Sequence, residues 1–317
     1  MKNKILFDGF NEVSSKAWKQ KIQYDLKGAD YNDTLVWESP EGIKVKPFYH
    51  EEDVANHLLN IPFVTHGWHI GQLIYAGNVE MANKAALKAL QRGAEQIQFL
   101  VPSEDIAVAV LLKDIDLEKT AIYLEMQFLS ERFVQSVLDF NPKAADAVFF
   151  NVDIIGHLAR TGNWYVGLEK DHEFLDKIVA TKAHHALSVD VSLYENAGAN
   201  MAQQLGYAMA HANEYLNYLE QKGSLGNMKS MVFKVSVGGN YFFEIAKLRA
   251  LRSLWKGLLA LYDVELDCHI VAYPSKRNKT LYDYNINMLR TTTECMSAVL
   301  GGANTVINMP YDALYHK

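Results

Sequence analysis

From about residue 79 onward the chain alternates long stretches of helical hydrophobic period with short β-branched or aromatic runs. A parallel sheet requires that rhythm, because parallel neighbours cannot be joined by a tight hairpin and need a crossover, usually a helix. The short runs fall at residues 95–101, 120–126, 147–153, 187–192, 231–237, 266–273 and 305–309. Helical stretches at 79–93, 130–140, 173–184, 198–221, 241–262 and 282–300 separate most of them. In the fifth of these, Phe242, Ile245, Ala246, Leu248, Leu251, Leu254 and Trp255 predict the inward stripe. Lys247 and Arg252 are expected toward solvent or a neighbouring helix.

Repeated strand–helix units over this length favour a (β/α)₈ TIM-type barrel over a doubly wound sheet. The eighth strand is expected at 107–112, which reads equally as a short helix, or is reduced or missing. Only residues 310–317 follow the last strand candidate, too few for a final crossover helix, so a degenerate or incomplete barrel is expected. Residues 1–65 read as an arm outside the barrel, which takes 66–317. The arm holds a helix near 14–26, a Lys27-Gly28-Ala29-Asp30 turn and extended pieces at 34–37 and 43–48, with little core of its own.

The 317 residues, 49% hydrophobic, can bury about three quarters of their unfolded surface. A net charge of −6 with scattered Lys and Arg argues against nucleic acid as a partner. Cys268 and Cys295 lack metal-ligand spacing and read as small buried apolar residues. Neither a leader pattern nor an apolar stretch of about 18 residues is present, so no membrane association and a cytoplasmic location are expected.

Candidate chemistry is sparse. Val237-Gly238-Gly239-Asn240 ends a strand and opens a helix, where backbone amides can hold an anion, although a tight turn needs the same glycines. His184-His185 are adjacent on an expected helix and so diverge, unlike an i, i+4 metal pair; His66 and His69 would face opposite ways in an extended chain. Barrel enzymes place reactive groups at the C-terminal ends of strands. Those ends carry Asp153, Ser192, Tyr194, Glu195, Ser236, Ser275, Lys276 and Arg277, from which no nucleophile–base–orienter set assembles.

Four segments resemble the methylmalonyl-CoA mutase family in its own order. They are Trp68-His69-Ile70-Gly71-Gln72 with Glu80 and Asn83; Asn196-Ala197-Gly198-Ala199; residues 241–255, after Val235-Ser236-Val237-Gly238; and residues 287–302. The N-terminal stretch, with Trp18, Asp25-Leu26-Lys27-Gly28, Leu35, Glu41-Gly42-Ile43 and Pro47-Phe48-Tyr49, is similar to the small subunits of bacterial heterodimeric members.

The resemblance implies a non-catalytic chain partnered by a large subunit that binds adenosylcobalamin and rearranges methylmalonyl-CoA to succinyl-CoA. In catalytic members the first segment continues to a tyrosine that drives and shields the radical chemistry; Leu73 stands there. A Tyr-His pair, whose histidine bonds the thioester carbonyl, is replaced by Ser192-Leu193. The carboxylate-binding arginine falls near Phe149, and Gly302-Ala303-Asn304 with Asn308-Met309 replace a glutamine- and histidine-rich stretch. The Asp-x-His-x-x-Gly mark of the cobalamin domain is absent from these residues. Expected here are no bound cofactor, no catalytic or metal-binding residue, and Leu73, Ser192 and Leu193 as vestigial pocket positions. Two alternatives compete: an active acyl-CoA mutase barrel completed by a separate cobalamin-binding chain, and an unrelated TIM-barrel enzyme.

Overall fold

The computed structural model describes residues 9–54, 67–141, 143–181 and 183–314. The chain divides into two compact units, Met1–Ile61 and Pro62–Lys317. In the first, Ser14 caps helix Ser15–Asp25 and Asp30 caps helix Tyr31–Leu35. That second helix takes residues 34 and 35 of the piece expected to be extended over 34–37, because the Asp30 carboxylate collects the amides of Asn32 and Asp33. Strands Trp37–Glu38 and Lys44–Val45 pair antiparallel. Helix Ser15–Asp25 buries no residue, while Trp18, Tyr24, Trp37 and Tyr49 stay exposed.

In the second unit eight parallel strands close into a ring. They are β1 (His69–Tyr75), β2 (Gln96–Val101), β3 (Ile122–Met126), β4 (Val148–Val152), β5 (His185–Asp190), β6 (Ser230–Val237), β7 (Asp267–Pro274) and β8 (Thr305–Val306). β8 is only two residues long, yet Thr305 registers with both His69 of β1 and Val271 of β7, which completes closure. The barrel is therefore neither incomplete nor short of a strand. The strand the sequence hid is β1, whose apolar residues Ile70, Leu73, Ile74 and Tyr75 form neither an alternating pattern nor a continuous run, Gly71 and Gln72 interrupting them. Residues 107–112 instead contain the short helix Val108–Leu111. Glycine is required at 71, where a Cβ would lie 2.6 Å from Ile307 Cγ1.

Helices Val79–Gln91, Glu131–Phe140, Leu168–Ala180, Met201–Lys222, Tyr241–Leu259 and Ile286–Gly301 are the longer crossovers. Asn78, Ser130 and Asn200 cap three of them by accepting the amides of Met81, Phe133 and Gln203. Leu168–Ala180 ends earlier than expected, so His184 leaves the helix and His185 opens β5. The chain then turns helical again over Val191–Asn196, which takes Val191 and Ser192 out of the strand expected at 187–192 and places Leu193 on the helix that follows.

Helix Tyr241–Leu259 buries Glu244, Lys247, Leu248, Leu251, Trp255 and Leu259. Phe242 is 77% and Leu254 45% exposed, which overturns their place on the inward stripe. The stripe is rotated because Lys247 and Glu244 neutralise each other at 2.7 Å and can be buried as a pair. Lys247 Nζ also donates to Ser236 O at 2.7 Å and to Gln204 Oε1 of the neighbouring helix at 2.9 Å. Cys268 and Cys295 are unpaired and only partly buried. Among the described residues no helix is long and apolar enough to cross a membrane.

Candidate functional site in the barrel lumen

Alternate residues of each strand face the ring's axis, and many of them here are aromatic, imidazole or charged side chains. Tyr123, Phe149, Val232, Val271 and Ile307 form a buried cluster separate from the helix–sheet core. Phe149 stacks on Tyr123 at 4.8 Å and on His185 at 4.4 Å, with His269 tilted against it at 4.4 Å. The Tyr123 hydroxyl donates to Gln96 Oε1 at 2.6 Å and lies 2.8 Å from both His269 Nε2 and Thr305 Oγ1. His185 Nδ1 meets Ser230 Oγ at 2.6 Å. An aromatic and imidazole plug thus crosses the lumen.

Above the plug, Tyr273 donates to Gln98 Oε1 at 2.5 Å. Lys234 Nζ binds Glu125 Oε1 and Oε2 at 2.7 and 2.8 Å and lies 3.3 Å from Asp190 Oδ2. Arg160 also donates to Asp190 Oδ2, at 2.5 Å, and Ser192 Oγ donates to Asp190 Oδ1 at 2.5 Å. Burial alone would lower the Lys234 pKa, but the Asp190 and Glu125 carboxylates outweigh it and hold the ammonium charged. The four charged groups at this level therefore satisfy one another.

Asp153, at the end of β4, is a junction. Its Oδ1 accepts from Gly156 N at 2.7 Å, Tyr215 OH at 2.8 Å and His211 Nε2 at 2.9 Å, and its Oδ2 from Asp190 N at 2.9 Å. Burial pushes its carboxyl up, but the charge and hydrogen bond of His211, with Lys234, hold it well below the usual carboxylate range. His211 Nδ1 lies 3.0 Å from the Tyr194 hydroxyl, so both ring nitrogens are engaged within the protein. Among the described residues Asp153, His211 and Tyr194 line up as an orienter–base chain would, and the same Asp153 carboxylate caps helix Ile154–Thr161.

Leu73 lies on β1, registered with Gln98 and 46% exposed at the mouth. Ser192 and Leu193 follow β5, on the opposite side of an eight-strand ring. The Gly238 amide is taken by the protein's own Glu244 Oε1 at 2.9 Å, which occupies the anion position of that turn. Glu195 Oε1 accepts from Ser275 Oγ at 2.8 Å, and Arg277 donates to Glu195 O at 3.2 Å. His184 Nδ1 pairs with Asp146 at 2.6 Å. His66 falls outside the described residues. Glu125, Arg160, Asp190, His211 and Lys234 were not singled out from sequence, although a lysine inside the apolar run 231–237 and a glutamate inside 120–126 are readable departures.

A family model described as methylmalonyl-CoA mutase matches residues 103–316. The chain belongs to the methylmalonyl-CoA mutase family. The methylmalonyl-CoA mutase small subunit of Porphyromonas gingivalis is 32% identical, over 98% of this chain and 55% of that protein. That of Streptomyces virginiae is 29% identical, over 96% and 54%. The mitochondrial methylmalonyl-CoA mutase of Bos taurus is 26% identical, over 93% and 46%. This mutase-family chain thus spans about half the length of the curated relatives it matches.

The two lumen histidines make a pH prediction for this family member. Burial lowers His185 to a pKa of about 4 and His269 to about 3. An unfolded chain takes up those protons near pH 6.5, whereas the folded chain refuses them. Stability is therefore full above about pH 6.5 and falls as pH drops toward the folded values. The urea midpoint should decline between about pH 7 and about pH 5, and less steeply in His269→Gln. A midpoint constant over that range would contradict the burial of neutral imidazoles.

Proposed function

We propose that this chain is the non-catalytic small subunit of a heterodimeric, adenosylcobalamin-dependent methylmalonyl-CoA mutase. Its large subunit holds the cofactor and converts methylmalonyl-CoA to succinyl-CoA. The observation that carries this reading is the filled lumen: Tyr123 and Val232 are fully buried, and Phe149 is 6% and Ile307 3% exposed. A thioester substrate drawn along the barrel axis would have to displace this cluster and the Lys234–Glu125–Asp190 group above it.

The residues present do not fit adenosylcobalamin. His185 and His269 are held inside the plug, and His211 uses both ring nitrogens on Asp153 and Tyr194. The mouth offers Leu73 and, beside Ser192, Leu193, neither of which donates a hydrogen bond. No step of the reaction is assigned to this chain. Phe149, near the position of the family's carboxylate-binding arginine, stacks in the plug instead.

Residues 1–65 serve, in this reading, as the clamp on the large subunit. Support comes from the helix that buries nothing and from Trp18, Tyr24 and Trp37, exposed aromatic side chains of the kind that anchor interfaces. Trp18→Asp combined with Trp37→Asp should weaken binding to the large subunit by about tenfold or more while leaving barrel stability unchanged. Titration calorimetry of the reconstituted pair reads this directly. An unchanged Kd would remove the arm from the interface.

A further inference from the structure

Asn151 is the penultimate residue of β4 and has φ 46°, in the left-handed region, at the place where the β4–β5 register shifts between Phe149↔His185 and Val152↔Leu187. Phe150 and Val152 pack into the outer core, and Phe149 belongs to the lumen cluster, so Asn151 faces the lumen. On β5, Ser188 registers with Val232, itself a lumen residue, and therefore faces the same way. Asn151 is 5% and Ser188 0% exposed. Asn151 Nδ2 and Oδ1 and Ser188 Oγ are all buried without a hydrogen-bond partner in the protein.

We propose that Asn151 and Ser188 form a buried binding site for an ordered water molecule between the aromatic plug and the Lys234 ion group. Buried polar groups are almost always paired, and three unpaired atoms on adjacent strands, facing one lumen, call for a shared partner. The pair offers a donor in Nδ2 and acceptors in Oδ1 and Oγ, so the ligand must both donate and accept. A metal ion could coordinate Oδ1 and Oγ but cannot accept from the Nδ2 amide, and a simple anion offers no donor. The charges nearby already have partners, Lys234 and Arg160 with Glu125 and Asp190, and the Asp153 carboxylate with His211, which favours a neutral occupant. Water meets each requirement, since an internal water makes two to four hydrogen bonds to otherwise unsatisfied groups. The left-handed backbone at Asn151, a conformation asparagine tolerates better than most residues, then holds the amide at the site.

This inference does not depend on the subunit role, because it concerns what completes the lumen's hydrogen bonding. The test is crystallography of the wild-type chain at a resolution that orders solvent, together with Ser188→Ala, Asn151→Gly and the double variant. Glycine keeps the left-handed backbone at 151 and alanine is small, so both changes preserve the fold. The expected result is a solvent peak within hydrogen-bond distance of the Asn151 amide and Ser188 Oγ, displaced in Ser188→Ala and absent at that position in the double variant. Water-oxygen relaxation dispersion in solution should show a matching loss of a long-lived internal water. A wild-type lumen without that peak, a peak unmoved in the double variant, or an unchanged count of long-lived waters would each overturn the site.

Discussion

Lys234→Met is expected to destabilise the barrel by about 3–5 kcal/mol, because it leaves Glu125 without its cation and Asp190 with Arg160 alone. Lys234 is 4% exposed, so water cannot easily replace what the ammonium supplied. Adding Glu125→Gln to Lys234→Met should recover part of the loss, since removing both members of a buried pair costs less than removing one. Urea denaturation of the single and double variants measures both effects. If Lys234→Met shifted stability by less than about 1 kcal/mol, the ion group would be hydrated and the lumen open.

Trp255→Ala is expected to cost a similar amount, about 3–5 kcal/mol, for a different reason. The ring is 2% exposed, lies edge-on to Phe233 at 5.2 Å and donates from Nε1 to Leu266 O at 3.0 Å. Alanine would leave a cavity between helix Tyr241–Leu259 and β6, together with an unpaired carbonyl. Phe242→Ala, on the exposed side of the same helix, should change stability by no more than about 0.5 kcal/mol. Equal effects at the two positions would mean that the helix is rotated from the orientation described.

These contrasts show what the sequence makes legible. Period and β-branching located six of the eight strands to within about two residues, because those strands are buried by the helix layer and read as apolar runs. The register of helix Tyr241–Leu259 was harder. A buried ion pair, Glu244–Lys247, is chemically polar and structurally core, so a stripe drawn from apolar residues alone points the wrong way. β1 was missed because Gly71 and Gln72 break its apolar residues into a pattern with no strand period.

The candidate site was less legible still. Lumen residues come from every second position of eight separate strands, so Tyr123, Gln96, His269 and Thr305 meet over separations of up to 209 residues that no local pattern connects. Leu73 and Leu193 were selected through the family resemblance, not through any local signal. The structure places them at the mouth of β1 and on the helix after β5. The plug that supports the non-catalytic reading was found only once the strands closed.

The proposed subunit role requires that this barrel do no mutase chemistry of its own. The most direct measurement incubates the purified chain with adenosylcobalamin and methylmalonyl-CoA and follows succinyl-CoA. We expect no turnover above the protein-free control, and none after Leu73→Tyr combined with Leu193→His, because the plug remains in the lumen. Losing even one preorganised hydrogen-bond donor typically costs about 10²–10³ in rate. Succinyl-CoA formed in proportion to this chain, with no large subunit present, would show that the barrel is catalytic.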